Sequence, residues 1–232
     1  MREKVLYALG IAAILLMAYN LRAIAALPLD PPLGPAAIIM PPVAKLVFFY
    51  YAAGGVAIAA GIASAIAGLR FLRTRDFRYD ALAVASTEVG LVFLAIHIVT
   101  GCLGTRTVYG PSWAWEPRLT TALACGLLYA TYLMLRSAVE EPAQRARFAA
   151  VWSVFIFLNL PMLAVAINWW RANNRRTLFW RGGSDYIAAW LPSILGTMLA
   201  MILLGVLLTA VRMRQEETRR ELDTLRRMTH AL

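Results

Sequence analysis

Six stretches of this chain run for about seventeen residues or more with almost no charge: Val5–Leu21, Leu46–Leu69, Asp80–Leu103, Leu119–Leu135, Phe148–Ile167 and Tyr186–Val211. A bilayer core about 30 Å thick is crossed by about 20 apolar residues in a helix rising 1.5 Å per residue. Irregular backbone facing lipid would leave N–H and C=O groups unpaired, so each run is expected to be helical. The expected fold is all-α, a polytopic integral membrane protein with six transmembrane helices forming one domain over residues 1–232. With 60% apolar and 16% charged residues, the chain does not suit a disordered protein, a secreted disulfide scaffold or an ordinary cytosolic enzyme. The first run lacks a small-residue cleavage site and is expected to be retained as a helix.

The net charge of +10 sets direction rather than a nucleic-acid partner, since no basic soluble module accompanies it. With the N-terminus inside, the inner segments hold fifteen Lys and Arg and the outer segments seven. Both termini are therefore expected in the cytoplasm. The last outer segment, residues 168–185, runs against the rule with Arg171, Arg175, Arg176 and Arg181. Either they are plain surface or they meet an anion, for which guanidinium groups are suited. Residues 212–232 mix arginines with Glu216, Glu217, Glu221 and Asp223, and Leu222, Leu225 and Met228 recur at helical spacing. This tail reads as an amphipathic extension of the last span. Cys102 and Cys125 have no metal spacing and lie at different depths, so both read as small buried apolar residues.

Two polar side chains interrupt the third span. Glu88 has no partner visible in the sequence, and acids within a membrane are expensive and often functional. A protonated or hydrogen-bonded contact between helices is the expectation. His97 lies nine positions away, about 180° around a helix, so the two do not face each other. A neutral, hydrogen-bonded core role suits His97, with metal ligation as the sharper alternative.

The chemistry gathers outside the spans. Residues 104–118 include Tyr109 and then, within six positions, Trp113, Trp115, Glu116 and Arg118. Trp169 and Trp170 open the next outer segment. An aromatic belt at the interface accounts for part of this. It does not account for two indoles packed with a carboxylate and a guanidinium. A flat apolar wall beside such groups suits a planar apolar ligand with acidic edges. Porphyrin fits, and its iron would need axial ligands. Among the motifs there is no nucleophile–base pair, P-loop or metal cluster, so no enzyme activity is expected.

The segment from Val99-Thr-Gly101 through Tyr109-Gly to Trp113-Ala-Trp115-Glu116-Pro-Arg118-Leu-Thr120 resembles the tryptophan-rich WWD signature of haem-handling proteins of bacterial cytochrome c biogenesis. Together with Asn159-Leu-Pro161 and Asn168-Trp169-Trp170, it is most similar to the haem exporter protein C family of the cytochrome c maturation system. The resemblance implies a bacterial inner-membrane protein that presents haem b on the outer face to a haem chaperone, working with ATP-binding cassette subunits. It implies a binding wall of Tyr109, Trp113 and Trp115, with Trp169 and Trp170 nearby, and Glu116 and Arg118 toward propionates or a partner. Glu116 stands where the family usually has Asp, and Tyr109 and Ser112 stand where tryptophans are common. The family's two outer-loop histidines are replaced by Met40 and Ala164. Three arrangements stay open: iron bound through Met40, or else His97; haem stacked without protein ligation; or an assembly subunit that no longer binds haem.

Overall fold

The computed structural model describes residues 2–27, 45–113, 115, 117–173 and 183–230. Six helices follow in chain order: α1 (Arg2–Ala26), α2 (Leu46–Thr74), α3 (Phe77–Tyr109), α4 (Pro117–Ala138), α5 (Pro142–Asn173) and α6 (Gly183–His230). Each contains one of the expected apolar runs. Among the described residues, five helices (α1 to α4 and α6) are long and apolar enough to cross a membrane.

Two helix ends, of α3 and α5, differ from expectation for a local reason, and α6 runs on into the tail as expected. α3 continues to Tyr109 rather than ending at Leu103, closing at Gly110 with φ 89°. α5 continues to Asn173, so Trp169 and Trp170 lie on helical backbone rather than in a loop. α6 is one helix of 48 residues that carries the last span and nearly all of the tail. Charged and polar residues end an apolar run without ending a helix, because the backbone ladder continues wherever no breaker intervenes.

Neighbours in the chain run antiparallel. The α2–α3 turn is two residues long. Arg75 takes the left-handed conformation and donates its N–H to the Phe71 carbonyl at 2.8 Å; the Asp76 carboxylate accepts from the Arg78 N–H at 2.9 Å. This cap satisfies backbone groups that a helix end leaves orphaned. α1 and α6 also run antiparallel, Gly10 packing by Leu207 and Gly196 by Asn20. The chain's first helix and its last helical turns therefore share one end of the bundle.

α2 is the central helix, in contact with α3, α5 and α6. Its buried residues are mostly small: Ala52, Ala53, Ala57, Ala60, Gly61, Ser64, Ala65, Ala67 and Gly68. In a membrane, lipid tails are as apolar as leucine, so association depends on close backbone approach and hydrogen bonds between helices. Both are present. A Cβ on Gly90 would meet the Tyr129 ring at 2.7 Å. The Tyr129 hydroxyl donates to the Ala57 carbonyl at 2.9 Å, Ser64 and Thr87 share a bond of 2.8 Å, and the Trp152 indole donates to the Leu128 carbonyl at 3.1 Å. Large apolar side chains face outward instead, among them Tyr7, Ile14, Leu15 and Tyr19 on α1. Cys125 is buried and Cys102 half-buried, both as free thiols.

At the end shared by the termini, six charged residues from three helices form one network. Arg136 on α4 holds Asp80 on α3 through two bonds of 2.6 and 3.1 Å. Arg220 on α6 reaches Asp80 at 2.5 Å and Glu216 at 3.2 Å. Arg212 joins Glu216 to Glu88. Glu88 thus has an arginine partner: Arg212 donates to both of its carboxylate oxygens, a hydrogen-bonded contact between α3 and α6 of the kind expected. Three acids balance three arginines. Asp80, Arg136 and Glu216 are buried, and buried ions require partners of opposite charge. Arg145 on α5 lies nearby, and its guanidinium is held below the ordinary value by burial, then by Arg136 and Arg220.

Candidate functional site

At the opposite end, the connection between α3 and α4 is short because α3 runs so far. Gly110, Pro111 and Ser112 are exposed there. Trp113 is half-buried and Trp115 is 77% exposed. Their ring centroids are 5.5 Å apart and their planes 81° apart. The two indoles meet edge to face, a favoured aromatic geometry. They form a corner rather than one flat wall. The Trp113 Nε1–H is buried without a hydrogen-bond partner among the described residues.

Arg118 opens α4 and turns back toward the bundle. Its guanidinium carbon lies 5.1 Å from the centroid of the Tyr50 ring on α2. The Tyr50 ring also stacks on His97 of α3, with centroids 4.0 Å and planes 25° apart. His97 Nδ1 is 2.8 Å from the Tyr50 carbonyl oxygen. A carbonyl only accepts, so Nδ1 carries the proton and Nε2 keeps its lone pair. A Cβ on Gly54 would lie 2.7 Å from the same Nδ1. The imidazole therefore rests against α2 backbone that only glycine leaves open. Leu119, fully buried, packs with Tyr50 over Gly101. Arg118, Tyr50 and His97 thus make a continuous contact from the tryptophan segment into α3.

This contact unites Arg118 and His97, which the sequence presents as unrelated, through Tyr50, which the sequence does not single out. Tyr50 lies in an apolar run with no motif around it, so no local signal marks it. The remaining site residues are not brought together on the same footing. Tyr109 lies on the last turn of α3, and Trp169 and Trp170 on α5, with their backbone described but not their side chains. Met40, Glu116 and the arginines at 175, 176 and 181 lie outside the described residues, and the Arg171 side chain does too. Among the described residues, no three His, Cys, Asp or Glu side chains gather as a metal site.

Comparison with known proteins decides the family. The chain matches the family described as CcmC, heme exporter protein C, over residues 1–228. It belongs to that family. It is 34% identical over 164 residues to the heme exporter protein C of Bradyrhizobium diazoefficiens, covering 70% of this chain and 62% of that one. It is 30% identical over 187 residues to that of Paracoccus denitrificans, covering 78% and 76%. With the Escherichia coli K12 protein of the same name, identity is 28% over 134 residues, 57% of this chain and 54% of that one. The chain thus spans just over half to three quarters of the length of these relatives. The family match extends well beyond Val99–Trp170, the stretch that holds the quoted motifs.

Proposed function

We propose that this haem exporter protein C family member handles haem at the bundle end formed by the α3–α4 connection. The observation that supports this most is the Trp113–Trp115 corner, in the segment that leads into Arg118, in a chain of this family. An exposed indole offers a porphyrin an apolar face, and buried Nε1–H and guanidinium groups nearby suit its carboxylate edges. Glu116, Tyr109, Trp169 and Trp170 complete the proposed surround. Haem, as haem b, is the cargo; the side chains hold and orient it and perform no bond chemistry. The proposal places this end on the outer face of a bacterial inner membrane, all six helices spanning and both termini cytoplasmic. A haem chaperone would collect the cargo there, with ATP-binding cassette subunits as the other partners.

Iron ligation falls to Met40 or His97. His97 has the ligand's usual preparation, an Nδ1–H fixed by a carbonyl that orients the ring and leaves Nε2 basic. The same hydrogen bond serves a packed histidine, and this favours the second reading, an assembly subunit without haem.

The test is absorption spectroscopy of protein purified in mild detergent from haem-replete cells. A stoichiometric Soret band, lost in Trp113→Ala/Trp115→Ala, is expected. No band in the parent protein, even after haem titration, establishes the second reading. An unchanged band in the double variant moves haem away from the tryptophan corner. Met40→Ala and His97→Ala then report ligation through the reduced spectrum.

A further inference from the structure

At the end where the termini lie, α1 and α6 enclose a groove of about 590 Å³ lined by Leu6, Val211, Arg214, Gln215, Thr218, Arg219 and Leu222. That volume falls within the range of small-molecule sites. The groove straddles the edge of the apolar region: Leu6 is the second residue of the α1 run, and Val211 is the last residue before the arginines of α6.

Its charge distinguishes it from the neighbouring network. At 100° per residue, Arg212, Glu216 and Arg220 occupy one sector of α6 and face α3 and α4, where their charges are matched. Val211, Arg214, Gln215, Thr218, Arg219 and Leu222 occupy the adjoining sector and face α1. Among the described residues, no carboxylate lies within ion-pair distance of Arg214 or Arg219, although Glu217 is only one turn from Arg214. Two guanidinium groups with no ion pair among the described residues, two polar donors and three aliphatic side chains thus line a groove at a membrane edge.

We infer that this groove is a binding site for an anionic phospholipid. Its phosphate would lie between Arg214 and Arg219, which suit a phosphate oxyanion through paired N–H donors. Gln215 and Thr218 would hydrogen-bond the glycerol or head group. Leu6 and Val211, on the membrane side of the arginines, would lie along the first acyl carbons. Free phosphate shares the charged part of this chemistry but gains nothing from the aliphatic walls. The inference does not rest on the haem proposal, which concerns the other end of the bundle.

The test is native mass spectrometry of the full chain released from neutral detergent, titrated with phosphatidylglycerol, phosphatidylcholine or inorganic phosphate. Retained phosphatidylglycerol should exceed phosphatidylcholine, and inorganic phosphate should not compete with it. Arg214→Gln/Arg219→Gln should weaken retention about tenfold or more, since each basic residue near an anionic membrane surface contributes measurably. Leu6→Trp, which fills the groove and keeps its charge, should do the same, whereas Arg106→Gln at the other end should not. Melting and gel filtration check that the variants stay folded. Equal phosphatidylglycerol retention by folded parent and double variant would overturn the site. Competition by inorganic phosphate would overturn the lipid assignment. Ferric haem retained by the parent and lost in the double variant would reassign the groove to the cargo.

Discussion

The Tyr50 ring meets His97, Arg118 and Tyr51, and its backbone makes a further contact. One face stacks on His97, the Arg118 guanidinium also lies over the ring, and the carbonyl accepts from His97. Cation–π and aromatic contacts are each worth about 0.5–2 kcal/mol, more where water is excluded. Tyr50→Leu keeps the carbonyl and most of the apolar volume but removes the ring contacts with His97 and Arg118. It should lower stability in detergent by about 1–2 kcal/mol, read as a fall in melting temperature. Gly54→Ala acts on the same point from the other side, since its Cβ would sit 2.7 Å from Nδ1. Overpacking of that kind costs about 1–3 kcal/mol. An unchanged melt for Gly54→Ala would mean that the imidazole swings away freely and is not held. The tryptophans, Arg118 and His97 were legible in the sequence because polar and aromatic residues stand out against an apolar background. Tyr50 was not, because its role depends on which carbonyl and which ring a neighbouring helix supplies.

Among the elements, α3 is tied to α4 and α6 by charge, and to α2 by small residues. The Asp80–Arg136 pair is buried, with side chains 4% and 8% exposed. Removing one partner of such a pair leaves a desolvated charge, at about 3–5 kcal/mol, whereas replacing both is often close to neutral. Asp80 retains Arg220 as a second partner, so Arg136→Met should fall at the lower end, about 3 kcal/mol. Asp80→Asn with Arg136→Met should recover part of that loss, measured as melting temperature in a double-mutant cycle. Strict additivity of the two changes would show that the pair is not coupled. The helices themselves were readable from apolar runs and helical period. The far ends of α3 and α5 were not, since both carry polar residues past the apolar stretch, whereas the helical spacing of Leu222, Leu225 and Met228 gave the extension of α6. The partner of Glu88 was unreadable for another reason: Arg212 is 124 residues away, and no periodicity connects positions on different helices.

At the scale of the whole molecule, the alternation of antiparallel neighbours puts the charge network and the tryptophan corner at opposite ends. Ser112 is exposed at one end and Leu225 at the other. In a Cys102→Ala/Cys125→Ala background, a cysteine replacing Ser112 should react with a membrane-impermeant maleimide in intact cells. One replacing Leu225 should react only after lysis. The reverse pattern would turn the molecule over in the membrane. The sequence carried the number of apolar runs and the asymmetry of Lys and Arg; it did not carry the closing of the bundle by its last helix. That closing has a consequence for synthesis. Asp80 and Glu88 leave the ribosome long before the arginines of α6. At roughly 5–20 residues per second, the 124 residues between Glu88 and Arg212 take about 6–25 s to make. Throughout that interval the nascent chain holds a carboxylate in its third helix whose counter-ion has not been translated. A ribosome that stalls before Arg212 therefore leaves an inserted chain with an unneutralised acid near the membrane edge.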